Sequence, residues 1–283
     1  MALPTYASPL ERAWYYGYRV LCALIFLFLI APILVIIPLS FNAQPYFTFS
    51  PEMLTLDPDG YSLRWYREFF NNPAWIGSFK NSFIIATSAT LLSTVLGTTA
   101  ALGLARREMP YKNVIMGLLI SPMIAPVIIA AAGMYFFYAR FGLTQTFLGI
   151  ILAHTALGTP FVVITVTATL VGFDRNLIRA AASLGASGLR TFFQVIMPLI
   201  APGVISGALF AFITSFDEVV LVLFLAGAEQ RTVTVQMWGG IRENISPTIL
   251  AVATILIVIS VLLLVTMELL RRRNARLRGI KET

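Results

Sequence analysis

The chain has 283 residues, of which 58% are hydrophobic and only 12% are charged. A soluble globular domain usually has about 25% charged residues, so water is not the main solvent of this chain. Its net charge of +7 is compatible with a nucleic-acid partner or with an acidic membrane surface, and its single cysteine, Cys22, excludes an internal disulfide and a cysteine metal cluster.

The apolar residues occur in six blocks of roughly 20 residues or more, each long enough to cross a hydrocarbon core of about 30 Å. Because backbone polar groups in lipid must pair within their own segment, such blocks predict helices. The first block contains Pro32 and Pro38, and no small-residue cleavage site follows it, so we interpret it as a retained span. The predicted spans are residues 20–40, 82–104, 114–138, 145–170, 203–225 and 248–270.

The distribution of basic residues predicts the orientation of these six spans. Fourteen of the 20 Lys and Arg residues lie on the side that holds both termini, which the positive-inside rule makes the cytoplasmic side. We therefore expect a cytoplasmic segment at 1–19, a membrane domain at 20–270 and a basic cytoplasmic tail at 271–283. The tail carries Arg271, Arg272, Arg273, Arg276 and Arg278 beside the bilayer, so acidic lipid rather than nucleic acid is its expected partner.

The loop at 41–81, on the side opposite the termini, contains a short amphipathic segment. Leu63, Tyr66 and Phe69 recur at helical spacing, with Ser62 in position to cap the helix. The pattern predicts a helix in the membrane interface, acting either as an aromatic anchor or as a lid that contacts substrate.

The loop at 171–198, on the cytoplasmic side, predicts two short helices joined by a tight turn. Asp174 can cap the first helix, and Gly185 can end it in a left-handed conformation. Ser187 can cap the second helix, which we expect to stop before Pro198. A shallow surface of this kind suits a cytoplasmic protein partner, because a nucleic-acid duplex could hardly dock so close to the bilayer.

Two adjacent acids, Asp217 and Glu218, lie inside the predicted fifth span. Each costs about 2.5 to 3.5 kcal/mol at the centre of a membrane helix, so both must face protein, water or a cation. They either form a salt bridge or hydrogen bond that holds the helices together or bind an organic cation. The absence of Lys and Arg from all six predicted spans favours the cation over a salt bridge. On a continuous helix Asp217 would share a face with Phe210, Thr214 and Phe224, and Glu218 with Thr214, Ser215 and Val222.

Single polar or helix-bending residues occur in other spans. His154, in the fourth span, is either a neutral side chain that hydrogen-bonds a neighbouring helix or a functional group. Pro122, Pro126 and Pro160 are positions at which we expect helices to bend.

In and after the cytoplasmic loop, small residues, hydrophobic residues and prolines follow one another at fixed spacing, in Ala180-Ala181, Gly185-Ala186, Phe193, Val195, Pro198 and Pro202. This pattern resembles the EAA motif of binding-protein-dependent ABC importer permeases. The resemblance implies an all-α type I permease fold of six transmembrane helices whose coupling helices dock on an ATPase subunit dimer. It assigns the docking contacts to Arg179, Ala180, Ala181, Gly185, Ala186 and Arg190.

Arg179 departs from the motif, because it occupies the position of the motif's glutamate. We expect either that Arg179 pairs with an acidic residue of the partner or that Arg175 and Arg190 carry the contact.

The run Ser215-Phe216-Asp217-Glu218 and the pair Trp65-Tyr66 resemble the spermidine/putrescine branch of these permeases. The resemblance implies import of putrescine, spermidine or a related cationic amine across the bacterial inner membrane. The implied partners are a periplasmic substrate-binding protein and a second permease subunit, either homologous or identical. The sequence has no P-loop motif, so this chain is not expected to be an enzyme, and ATP and Mg are expected on the ATPase subunit.

Three other functions remain open at this point. A permease for opines or amino-acid derivatives would share much of the same pattern. An ion-coupled secondary transporter or channel would use Asp217, Glu218 and His154 as a relay, although no inverted repeat is visible. The third alternative is a membrane scaffold that does not transport and whose cytoplasmic loop recruits a partner. Asp217 and Glu218 argue against it, because a scaffold has no use for charged residues in lipid. In all these interpretations the chain itself binds no metal and no cofactor.

Overall fold

The structure, a computed structural model, describes residues 8–106, 108–174, 176–243 and 246–277. The described residues are mainly helical, and a π-helical turn, Phe192–Ile196, joins α9 to α10. In chain order the helices are α1 (Pro9–Leu39), α2 (Pro51–Leu54), α3 (Arg64–Asn71), α4 (Pro73–Leu104), α5 (Lys112–Ile124), α6 (Val127–Ala139), α7 (Phe147–Val171), α8 (Asn176–Ser183), α9 (Gly188–Thr191), α10 (Met197–Asp217), α11 (Val220–Leu225), α12 (Val233–Glu243) and α13 (Thr248–Leu277).

Most of the predicted spans correspond to long apolar helices. Helices α1, α4 and α7 and the stretch Gly188–Asp217 are each long and apolar enough to cross a membrane. Helices α5 and α6 are together long and apolar enough for a further span, but they are bent by 101° at the break between them, as in a broken span or a re-entrant loop. Helix α13 starts at the predicted residue and opens with the apolar stretch Thr248–Leu262.

The bend between α5 and α6 interrupts the predicted third span at Ala125 and Pro126. Pro126 has no N–H to donate, and its ring disfavours a helical conformation of the preceding residue, so Ala125 is extended (φ −65°, ψ 136°). Pro122 and Pro160, by contrast, lie inside their helices. Of the three expected bends, the one at Pro126 is therefore confirmed as a break.

The chain divides into two compact units, the first of which comprises the described parts of Met1–Asn72 and Gly240–Thr283. Helix α1 begins at Pro9, earlier than the predicted start at residue 20. The Ser8 hydroxyl accepts from the Glu11 backbone N–H, and the Glu11 carboxylate accepts from the Ser8 N–H at 2.8 Å. This capping box satisfies two backbone donors and extends the helix through its polar first turns.

In the same unit, α3 confirms the predicted short helix but not its predicted cap. The N-cap is Leu63 rather than Ser62, whose hydroxyl accepts from the Arg64 N–H. Trp65 is buried and donates its indole N–H to the carbonyl of Asn42 at 2.7 Å. Because this ring is enclosed within the unit, Trp65 fixes the loop and presents little surface to lipid or substrate.

The second unit, Pro73–Gly239, is built on α4, α7 and α10. Glycines allow these helix backbones to approach closely. A methyl carbon added at Gly207 of α10 would lie 2.7 Å from the Cα of Val162 in α7. One added at Gly158 of α7 would meet Ser93 of α4 at 2.8 Å and Ala211 of α10 at 3.1 Å, so three helices meet at that glycine.

This packing predicts that Gly207→Ala destabilises the second unit. The added methyl group has no room against the backbone of α7, and overpacking of this kind costs about 1–3 kcal/mol. We expect the purified protein to lose its monodisperse gel-filtration peak at a lower temperature than the parent.

The matched control for this prediction is Gly133→Ala in α6, where the added carbon meets nothing within 4 Å. We expect it to behave like the parent. Equal thermal behaviour of the two variants would contradict the proposed role of Gly207 in helix packing.

Candidate functional site

The candidate site lies where α10 ends, at Asp217 and Glu218. The prediction of one continuous helix over residues 203–225 is wrong. The helix ends at Asp217, because Glu218 is extended (φ −71°, ψ 124°) and α11 begins only at Val220. The Glu218 carboxylate accepts from the Leu221 N–H at 3.0 Å, and the Glu218 carbonyl accepts from the Thr234 hydroxyl at 3.3 Å. Side-chain partners thus replace helical hydrogen bonds at the break.

Asp217 lies on an exposed face of α10. Phe210, Ile213 and Asp217 recur at helical spacing, and all three are exposed in this chain. Among the described residues, the Asp217 carboxylate has no hydrogen-bond or ion-pair partner. The two adjacent acids therefore differ, since the Glu218 carboxylate accepts from the first turn of α11 and the Asp217 carboxylate has no partner in the part of the chain that the structure describes.

The aromatic residues around this site differ from those expected. Phe210 shares the exposed face with Asp217, as predicted, and stacks on Phe161 of α7 with ring centroids 6.0 Å apart. Phe224 lies on α11, beyond the break, so the argument that placed it on the same helical face as Asp217 is wrong. Thr214, one turn before Asp217, is half-buried.

A second aromatic cluster lies immediately before the acids, and the sequence argument missed it. Phe216 contacts Phe83 of α4 at 5.2 Å between ring centroids and Phe212 at 5.7 Å. The sequence contains a signal for this cluster, because Phe79 and Phe83 are four residues apart, as are Phe212 and Phe216, and residues at that spacing share a helix face. The pairing between α4 and α10 needed the structure.

His154 and Ser215 form a buried hydrogen bond between α7 and α10. His154 Nδ1 lies 2.7 Å from the Ser215 hydroxyl, and the two residues are 1% and 5% exposed. The prediction that His154 hydrogen-bonds a neighbouring helix is confirmed. Among the described residues, His154 Nε2 and the Thr90 hydroxyl are buried without a hydrogen-bond partner.

The 171–198 loop forms the predicted turn between two helices. Asp174 accepts from the Asn176 N–H at 2.9 Å, and Ser187 caps α9 by accepting from the Arg190 N–H. Gly185 has φ +78°, and its N–H donates to the carbonyl of Ala182. Together with the bond from the Ala186 N–H to the carbonyl of Ala181, this is a Schellman motif.

The second helix of this loop does not stop before Pro198, contrary to the prediction. It continues through the π-helical turn into α10, and the Met197 N–H reaches back five residues to the carbonyl of Phe192. A proline removes one helical donor and crowds the carbonyl four residues earlier, and the wider turn accommodates both effects.

Most of the loop surface is exposed. Ala180, Gly185 and Arg179 are exposed, whereas Ala181 and Ala186 are half-buried. Arg190 is also exposed, and its Nε donates to the side chain of Gln194 at 3.0 Å. The loop also presents the apolar side chains of Leu184, Leu189 and Phe193, while Arg175 lies outside the described residues.

The arrangement is chemically suited to binding a cation. Among the residues that the structure describes, no three His, Cys, Asp or Glu side chains are grouped closely enough to hold a metal ion. A carboxylate on an exposed helix face that also carries the ring of Phe210 suits an organic ammonium ion, through charge attraction and cation–π contact.

Comparison with known proteins places the chain among membrane permeases. Residues 93–276 match the family described as binding-protein-dependent transport system inner membrane component. The chain is 32% identical over 250 residues to the spermidine/putrescine transport system permease protein PotC of Haemophilus influenzae, covering 88% of this chain and 94% of that protein. It is 30% identical to the putrescine transport system permease protein PotI of Escherichia coli K12, over 82% of each chain.

A solved structure shares the fold. The crystal structure of a bacterial ABC transporter involved in the import of the acidic polysaccharide alginate superposes with a TM-score of 0.71, at 16% identity. The match covers 95% of this chain and 99% of that one. The chain therefore has the type I permease fold and belongs to the family of binding-protein-dependent transport system inner membrane components.

Proposed function

We propose that this chain carries putrescine, spermidine or a related cationic amine through the inner membrane of a bacterium, with both termini cytoplasmic. Relatives named as spermidine/putrescine and putrescine permeases align with most of its length. Polyamines are flexible chains with two or more ammonium groups, so their pathway needs acceptors for positive charge.

The observation that carries the proposal is the free Asp217 carboxylate at the end of α10. An unpaired acid in an apolar helix is costly, so it is retained where it faces water or a charged ligand. Asp217 has the exposure that such a ligand requires, and Phe210 two turns earlier exposes 51% of its surface on the same face. We therefore assign the pathway to this face of α10, with Thr214 at its edge.

The other residues expected in the pathway contribute differently in this proposal. Glu218 adds negative charge near Asp217 while its side chain holds the start of α11. Ser215 is buried against His154, so it supports the site from behind. Phe224 is 39% exposed on α11 and contributes to the pathway only from the far side of the break.

The partners in this proposal follow from the exposed surfaces and from the family. A second permease subunit, identical or homologous, covers the exposed face of α10 and completes the pathway. A periplasmic substrate-binding protein delivers the amine. An ATPase subunit dimer, which binds ATP and Mg, docks on the 171–198 loop through Arg179, Ala180, Ala181, Gly185, Ala186 and Arg190.

Arg179 is an exposed cation at the position of the motif's glutamate. An acidic residue of the ATPase subunit is its natural counterpart, and the apolar side chains of Leu184 and Leu189 supply contact area beside it.

Family membership also decides against the alternatives of an ion-coupled secondary transporter and a membrane scaffold.

The proposal predicts that Asp217→Asn impairs polyamine uptake. Losing the charge removes a charge-assisted interaction worth about 1.5–3 kcal/mol, so KM should rise roughly tenfold or more. The measurement is ATP-dependent uptake of labelled putrescine and spermidine into vesicles that hold the assembled complex.

Glu218→Gln is the matched comparison, because the amide oxygen can still accept from the Leu221 N–H and keep the helix start. We expect a smaller rise in KM than for Asp217→Asn. Unchanged uptake by Asp217→Asn with normal assembly would contradict the pathway assignment. If the parent complex takes up no polyamine at all, the substrate class is wrong, although the family membership stands.

A second prediction concerns coupling. Gly185→Ala places a side chain at φ +78°, a conformation that costs an L-residue roughly 1–2 kcal/mol, and so distorts the turn between α8 and α9. We expect ATPase activity that substrate-loaded binding protein no longer stimulates, with the amount of assembled complex unchanged.

The control is Gly188→Ala, because Gly188 lies in the same loop with ordinary φ and an added methyl carbon meets nothing within 4 Å. Stimulation should persist in this variant. The coupling role of the turn would be refuted by normal stimulation in Gly185→Ala.

A further inference from the structure

We propose that His154 is a positioning residue for transport, fixing the end of α10, and so the place of Asp217, through its hydrogen bond to Ser215. The importance of this placement for transport rests on the proposed role of Asp217 in the pathway. The position of Asp217 can be measured separately from transport.

The register of α7 against α10 places this bond at the end of a continuous contact. Gly203 of α10 lies against Thr169 and Thr165 of α7, Gly207 lies against Thr165 and Val162, and Ala211 lies against Gly158. Each step of four residues along α10 matches a step of about four in the opposite direction along α7. The next step brings Ser215 to His154, where the hydrogen bond forms.

The nature of the contact changes at that step. At the first three positions the helices are held by close packing around glycine, which leaves little freedom. At the fourth, a long imidazole side chain reaches across from α7, and the 2.7 Å hydrogen bond makes the connection. Because donor and acceptor are both buried, breaking the bond would leave unsatisfied polar groups in the core.

Ser215 is two residues before Asp217, within the last turn of α10. On the other side of Asp217, Glu218 is held by the Thr234 hydroxyl and by the Leu221 N–H. The Asp217 carboxylate, which has no partner among the described residues, is thus located by the backbone between these two anchors, with the Phe216 ring packed on Phe83 beside it. Without the anchor at Ser215, the last turn loses its polar connection to α7.

The two nitrogens of His154 allow a sharp test. Asparagine places a polar atom near the position of Nδ1 and retains a partner for Ser215, whereas glutamine places its amide near the position of Nε2. Since Nδ1 makes the bond and Nε2 has no described partner, His154→Asn should preserve the anchor and His154→Gln should lose it.

The experiment measures the position of residue 217 without using transport. Asp217→Cys is introduced in a Cys22→Ala background, which removes the one native thiol of this chain. Labelling is then read on this chain alone. The assembled complex in detergent is labelled with a small cationic methanethiosulfonate reagent, and the labelling rate is compared in the presence of His154→Asn, His154→Gln or Ser215→Ala. Gel filtration verifies that each complex is assembled.

We expect the labelling rate to change about fivefold or more with His154→Gln and with Ser215→Ala, the equilibrium factor of one lost hydrogen bond. His154→Asn should label like the parent. Equal rates in all four complexes, or a change with His154→Asn and not with His154→Gln, would overturn the proposal. If His154→Gln fails to assemble, Ser215→Ala decides in the same way.

Uptake measurements with Asp217 intact separate this inference from the proposed function. His154→Gln should raise KM for putrescine, whereas His154→Asn should have the KM of the parent. Changed labelling with unchanged KM would retain the anchor but remove Asp217 from the pathway. Unchanged labelling would refute the anchor whatever the result for uptake.

Discussion

The contact of α4, α7 and α10 at Gly158 is the constraint on which the second unit depends. Water drives no further burial between helices that already lie in lipid, so close packing and polar contacts must hold them together. A side chain at Gly158 would collide with both Ser93 and Ala211. The small residues that avoid this collision also set the register of α10, and therefore the level at which α10 can end beside α7.

The end of α10 shows how a membrane protein accommodates a broken helix. Backbone groups released at the break need partners, because lipid offers none. Glu218 supplies one through its carboxylate and receives another from Thr234. One of the two adjacent acids therefore hydrogen-bonds the backbone, whereas the other, Asp217, is exposed at the end of α10 and has no partner among the described residues.

The sequence predicted those features that depend on local chemistry. Gly185 and Ser187 predicted the turn of the loop, because a left-handed glycine and a serine cap act within a few residues. The break after Asp217 was not predictable in the same way, since no proline or glycine marks it and its stabilising partner, Thr234, is sixteen residues away. Phe224 was predicted on the same face as Asp217 because the fifth span was expected to be one continuous helix, but α10 ends at Asp217. Likewise, His154 was expected to bond a neighbouring helix, but the choice of Ser215 required the register.

The stretch from Gly188 to Asp217 joins the proposed docking loop and the proposed pathway face in one element. Its 30 residues run without a break from the loop to the free carboxylate, a distance of about 45 Å at helical rise. In the proposed complex, movement of the loop by the ATPase subunit would be passed along a helix that is held to α7 by glycine packing. The π-helical turn at Phe192–Ile196 is the one irregular segment within this stretch, and it lies next to the loop. Because the glycine contacts and the His154 hydrogen bond hold the rest of this stretch against α7, a displacement of the loop would move α7 and α10 together, and Asp217 with them.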